Sequence, residues 1–225
     1  MKSGDKNKLF VSLLLKWSKK NIRDFPWRTT VDPYSILIAE IMLQRTKVKQ
    51  VVPIYMDFLE SYPDIFSLSK ASDNEIKNKI SGLGLAKRAK GIQKLADQII
   101  KDYKGKIPAE KNKLLNLHGV GNYISNALLC HAFNQNVPTV DANFARVLKR
   151  IFSLNLKKPE QKDKTLWVFA EDLIQYAQGN CSLFNLGIID LANLICTSRK
   201  PSCCICPCIS ICEHGQSCSI KMMDN

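Results

Sequence analysis

Leu117-His118-Gly119-Val120-Gly121 joins two stretches of helical periodicity, Glu110–Leu117 and Asn122–Phe133. Glycine at two of these five positions permits positive φ and a close approach of backbone to a ligand. The amides that open the following helix then point outward, an arrangement suited to a phosphate. A plain turn between two antiparallel helices would use the same residues. The segment therefore takes its meaning from the chain around it.

That chain is dominated by the helical period. Leu9–Lys20, Pro33–Gln44, Val48–Tyr62, Asp73–Ile80, Lys87–Tyr103, Ala142–Phe152, Lys164–Ala177 and Phe184–Leu194 also carry apolar residues three and four apart. Turn signals such as Asp32-Pro33, Gly82-Leu83-Gly84 and Val137-Pro138 separate them. No long alternating stretch argues for a strand, so about ten short helices imply an all-α globule. A length of 225 residues allows one large domain or two small ones. Such a chain buries roughly 70% of its unfolded surface and needs no disulfides to fold. Hydrophobic residues at 45% and charged residues at 24% exclude wholesale disorder.

Charge points to the partner. Lys and Arg number 33 against 20 Asp and Glu, a formal charge of +13, which favours a polyanion. No apolar run approaches the ~18 residues of a membrane span; the longest, Ser35–Leu43, is broken by Glu40. The N-terminal Leu9–Leu15 run lacks a small-residue cleavage site and continues into Lys16, Lys19 and Lys20. Leu9, Leu13, Leu14 and Trp17 share one helical face, which reads as an amphipathic helix of a cytoplasmic protein with no membrane partner.

Composition changes after Leu194. Nine cysteines lie at 130, 181, 196, 203, 204, 206, 208, 212 and 218, seven of them in the last thirty residues. Without a secretion signal such density favours metal over disulfides. Cys196, Cys203, Cys206 and Cys212 form C-x6-C-x2-C-x5-C, a loop able to wrap four thiolates around one centre, zinc or iron–sulfur. Cys204, Cys208 and Cys218 read as bystanders, Cys130 and Cys181 as small core residues. Zinc sites use two short knuckles, whereas this loop has one.

In that spacing the loop resembles the [4Fe–4S] loop of the endonuclease III family of DNA glycosylases. The run Leu117–Tyr123, then Val140-Asp141-Ala142-Asn143, then the four cysteines follow the order found in helix–hairpin–helix base-excision glycosylases. The resemblance extends from Phe25-Pro26-Trp27-Arg28 to Cys212. It implies a two-lobed all-α helix–hairpin–helix fold with a C-terminal iron–sulfur loop. Residues 28–134 would form a six-helix lobe ending in the hairpin, and 1–27 with 135–225 a discontinuous cluster lobe. The hairpin, through Gly119, Gly121 and the phosphate-side His118, would grip the DNA backbone without reading sequence. The cluster would be structural, holding Arg199 and Lys200 toward phosphate, and its charge of −2 would lower the net charge to about +11. The expected partner is double-stranded DNA containing a mismatch, bound by a monomer associated with the nucleoid.

Excision of a base passes through a transition state with oxocarbenium character, which needs a nearby anion and a group that positions water or the leaving base. The base must also leave the stack. Asp141 directly precedes the pattern opening at Ala142, an N-cap position where the helix terminus favours negative charge. The resemblance places the catalytic aspartate there, with Asn143 supporting it. Glu40 interrupts an apolar helix, where burying a lone carboxylate is costly; the resemblance assigns it to orienting water or protonating the base. Tyr123 stands where strand-cleaving members carry a lysine that forms a Schiff base. Lacking an amine, it implies a monofunctional enzyme, and its ring could stack on a flipped pyrimidine.

Two branches compete. Arg45 in Leu43-Gln44-Arg45-Thr46, Leu85, and Leu186 in Asn185-Leu186-Gly187 resemble the thymine/uracil mismatch branch. Arg45 would donate to the guanine left behind, and Leu85 would act as an apolar wedge. Gln44 matches the adenine branch, and His118 departs from the usual proline. The adenine branch usually adds a C-terminal domain, which has no counterpart after the cysteine loop. The expected activity is removal of thymine or uracil mispaired with guanine. An adenine glycosylase acting opposite 8-oxoguanine is the alternative, and a non-catalytic metal-bound DNA-binding module is the reading from another class.

Overall fold

The computed structural model describes residues 3–84 and 88–216. Leu85, the expected wedge, and Cys218 lie outside the described residues. The described residues are helical and contain no strand. The chain divides into two compact units, a continuous one (Asp24–Phe133) and a discontinuous one (Met1–Arg23 with Asn134–Asn225).

In the continuous unit the central element is α2 (Pro33–Leu43). Proline at its first position and the Asp32 carboxylate, which accepts from Ser35 N at 2.8 Å, start it. Residues 36–42 are all buried, so this helix is apolar nearly all round, as an internal helix must be. It packs on α3 (Val48–Ser61) and α8 (Asn122–His131). Two capping boxes, Asp64 with Ser67 and Ser72 with Glu75, open α4 (Ile65–Lys70) and α5 (Asp73–Ile80). Both helices pack on the amphipathic α6 (Ala89–Tyr103), and α7 (Lys111–Leu115) leads into the hairpin. Phe25 stacks on Trp27 at 5.3 Å, and Trp27 meets Tyr55 edge-on at 5.3 Å. These rings draw residues 24–27 into the continuous unit, whereas the sequence reading had put them in the other lobe.

The discontinuous unit closes the two ends of the chain on each other. Helix α1 (Ser3–Asn21) lies against α11 (Cys181–Leu194), which also packs on α9 (Ala142–Phe152); α10 (Lys164–Gln175) covers α1. Phe10 meets Phe152 and Phe184 edge-on at 5.5 and 6.5 Å. Gly187 permits the close crossing of α1 and α11, because a Cβ there would fall 2.1 Å from Ser18 Oγ. The buried Asp190 takes Arg23 Nε and Arg23 N, each at 2.8 Å, which ties the end of α1 to α11 and neutralises an otherwise costly charge.

Candidate active site

Asp141 is the N-cap of α9. Its Oδ1 accepts from Phe144 N at 2.7 Å, and its Oδ2 accepts from Asn143 Nδ2 at 2.8 Å. The capping role and the expected functional role thus coincide: the bonds that start the helix also fix the rotamer of a half-buried carboxylate. The segment leading to it is braced from α11. Asn185, fully buried, donates from Nδ2 to Val137 O at 3.0 Å and accepts at Oδ1 from Thr139 N at 2.9 Å. Leu186 beside it is half-buried and Gly187 buried. The motif Asn185-Leu186-Gly187 was quoted for its resemblance; its Asn proves to hold the approach to Asp141, which only a contact across 46 residues could reveal.

The same helix reaches the cysteine loop. Arg146 donates to Cys196 O at 3.0 Å and Ala192 O at 3.1 Å, and Arg150 donates to Thr197 O at 2.6 Å and Cys196 Sγ at 3.4 Å. Cys196, Cys203, Cys206 and Cys212 line one cavity together with Ile209, and Cys212 is buried. Cys212 Sγ also accepts from Gly215 N at 3.3 Å. Hydrogen bonding with Cys208 pulls the Cys206 thiol down and pushes the buried Cys208 thiol up. Cys204 is exposed. Among the described residues no three His, Cys, Asp or Glu side chains converge on a single ion; the four thiols instead border shared space. Cys130 and Cys181 are buried, and the Cys181 thiol donates to Asn134 Oδ1 at 3.6 Å.

The remaining expected residues belong to the continuous unit. Glu40 is buried within α2 at 9% exposure, so it is not a solvated edge residue. Gln44 ends that helix, and Arg45 follows in the left-handed region at φ +63°. That conformation costs a residue with a Cβ about 1–2 kcal/mol. Arg88 Nη1 donates to Ile41 O at 3.3 Å and Gln44 O at 3.2 Å, closing the helix end just before Arg45. In the hairpin, Gly119 is left-handed at φ +77°. Gly121 is extended (φ −100°, ψ −176°) and N-caps α8 without a side chain. Positive φ is therefore needed at one of the two glycines, not both. At Gly121 a Cβ would meet nothing within 4 Å, so packing within the chain does not demand glycine there. Gln98 of α6 clamps the loop: its Oε1 accepts from His118 N at 2.9 Å, and its Nε2 donates to Asn116 O at 3.0 Å. Tyr123 sits half-buried in the first turn of α8.

A solved thermostable thymine-DNA glycosylase superposes with a TM-score of 0.92 at 39% identity, covering 97% of this chain and all of its own. Residues 38–172 match the HhH-GPD superfamily of base excision DNA repair proteins, and the chain belongs to that family. A thymine/uracil-DNA glycosylase of Methanothermobacter thermautotrophicus is 40% identical over 218 residues, 96% of this chain and 98% of its own. An adenine DNA glycosylase of Buchnera aphidicola is 37% identical over 201 residues, 88% of this chain but 57% of its own. Among the described residues no helix is long and apolar enough to cross a membrane.

Proposed function

We propose that this protein is a monofunctional DNA glycosylase that removes thymine or uracil mispaired with guanine from duplex DNA. The observation that carries the reading is the carboxylate of Asp141, held on both oxygens at the start of α9. Its full-length similarity to a thymine/uracil-DNA glycosylase supports the substrate. Breaking the bond between C1′ and the base leaves positive charge on the sugar, which the fixed anion of Asp141 stabilises. Water then delivers hydroxide to C1′ while its proton goes to the departing base, and Glu40 orients that water or passes that proton. Asn143 holds the Asp141 rotamer. Tyr123 carries no amine, so no Schiff base forms and the product is an abasic site.

Arg45 is the residue to occupy the gap and donate to guanine acceptors, with Gln44 beside it. Gly119, Gly121 and His118 approach the backbone, and Leu186 lies on the helix that braces Asp141. Cys196, Cys203, Cys206 and Cys212 would hold a [4Fe–4S] cluster. Four soft thiols bordering one cavity, with one short knuckle where zinc sites use two, suit a multi-iron core held by four cysteines. When bound, the cluster supplies cross-linking of the loop rather than chemistry at the sugar. Excision from G·T, G·U and A·8-oxoguanine duplexes tests the reading. Release of thymine or uracil opposite guanine is expected, with alkali needed to cleave the strand; exclusive release of adenine overturns it.

A further inference from the structure

In the continuous unit a cavity of about 420 Å³ opens between the end of α2, the start of α6 and the hairpin. Arg88, Lys90, Lys94 and His118 line it, and no carboxylate does. Two other polar cavities differ: Glu160, bonded to Lys149, and Glu213 line one, and Asp57, bonded to Lys79, and Glu75 line another. Lys90 and Lys94 are four residues apart on α6, a spacing that brings two like charges together on one helix face. The first turn of α6 holds no acidic residue to offset them. Arg88 is engaged with the carbonyls of Ile41 and Gln44, while Lys90 and Lys94 are exposed. The imidazole of His118 lies over Gly91, where a Cβ would come within 3.2 Å of Nε2. Glycine at 91 thus makes room for the histidine that replaces the family's usual proline.

We infer that this cavity seats a phosphodiester of the duplex, held by Lys90 and Lys94 with His118 at its edge, in addition to the contact made by the hairpin amides. The cavity adjoins Gln44, so a phosphate there registers the backbone beside the residues that enter the stack. The inference rests on the reading of this chain as a DNA-acting enzyme. It concerns grip rather than chemistry, and its ligand is the same in matched and mismatched DNA.

The test is duplex binding by the full chain, measured by anisotropy as a function of KCl, for wild type, Lys90→Gln/Lys94→Gln and the charge-matched control Lys101→Gln/Lys106→Gln. Losing one phosphate contact lowers the slope of log K against log salt by about 1. The first pair should show that loss equally on matched and G·U duplexes. Lys90→Arg/Lys94→Arg should restore the slope, and the control pair should leave it unchanged. An unchanged slope in the first pair, an equal loss in the control, or a drop in saturated excision rate with unaltered binding each overturn the proposal. Unaltered melting of the variants guards against misfolding. A wild type that binds DNA but excises nothing would instead overturn the proposed function, while the slope comparison would still judge the cavity.

Discussion

In the discontinuous unit Asp141 takes a hydrogen bond on each oxygen, Asn185 grips two peptide groups ahead of it, and the backbone from 137 to 146 stays out of the left-handed region. In the continuous unit Arg45 and Gly119 are both left-handed, and the hairpin is pinned by the side chain of Gln98. The first region holds a single group in a single place. The second carries a strained turn at Arg45 and a cavity lined by cations without a carboxylate. A carboxylate that must meet a developing charge gains from rigidity, because misplacement weakens an electrostatic contact steeply. On the proposed function, the surface that engages a duplex would use turns such as the strained one at Arg45, which persist where the surrounding structure holds them.

The sharpest way to break this contrast is to change the charge of the fixed group and nothing else. Asp141→Asn keeps an oxygen for the amide of Phe144, so the helix start and the melting temperature should survive. Excision measured in a single turnover should fall by about 10²–10³-fold, the usual effect of removing one preorganised electrostatic partner. Duplex binding should be retained. A rate within a few-fold of wild type would remove Asp141 from the chemistry.

How much of this could be read beforehand follows the range of the interactions involved. Asp141 as a cap, the helix opening at Ala142, and the helix beginning at Pro33 all rest on neighbours within four residues, and they were legible. So was the burial of Glu40, since every residue around it in α2 is apolar. The short α4 escaped periodicity altogether; its start is set by the Asp64–Ser67 capping box seen in the structure. What stayed hidden was set by distant contacts or by backbone geometry. Nothing local distinguishes Gly119, which needs positive φ, from Gly121, which does not. The Asn185 brace and the Gln98 clamp join residues 46 and about twenty apart, and the family resemblance carried motifs, not these bonds. Phe25 and Trp27 were placed in the wrong unit because their partner, Tyr55, lies in another helix.

Glycine substitutions sharpen the contrast further. Gly187→Ala drives a methyl group to 2.1 Å from Ser18 Oγ, which is itself bonded to Leu14 O. Overpacking of this kind costs about 1–3 kcal/mol, so the melting temperature should fall clearly, with excision following the folded fraction. Gly121→Ala meets no protein atom and asks for no unusual φ. It should leave stability unchanged or raise it by about 0.4–1 kcal/mol while weakening duplex binding, since the added methyl faces the space a backbone phosphate would use. Equal melting losses in both variants would show that the hairpin is packed as tightly as the α1–α11 crossing.

The smallest expected effect concerns His131, at the end of α8. Burial pushes its pKa from the usual value down to about 4, and the charge of Arg28 adds to the push. The folded protein therefore holds His131 neutral where the unfolded chain, titrating near 6.5, has already taken up a proton. Between those two values the unfolded state binds more protons, so stability falls as pH is lowered from about 6.5 toward 4 and is fully present above that window. Asp64, Glu75 and Asp163 are held below the usual carboxylate range by hydrogen bonds from nearby backbone amides. Their contribution is lost at lower pH, as protonation approaches the unfolded carboxylate values. Melting followed from pH 7.5 to 4.5 should thus decline in His131-containing protein before the carboxylates titrate, and His131→Gln should flatten that first decline. A wild-type curve that is level down to pH 5 would mean that the end of α8 admits the charged imidazole.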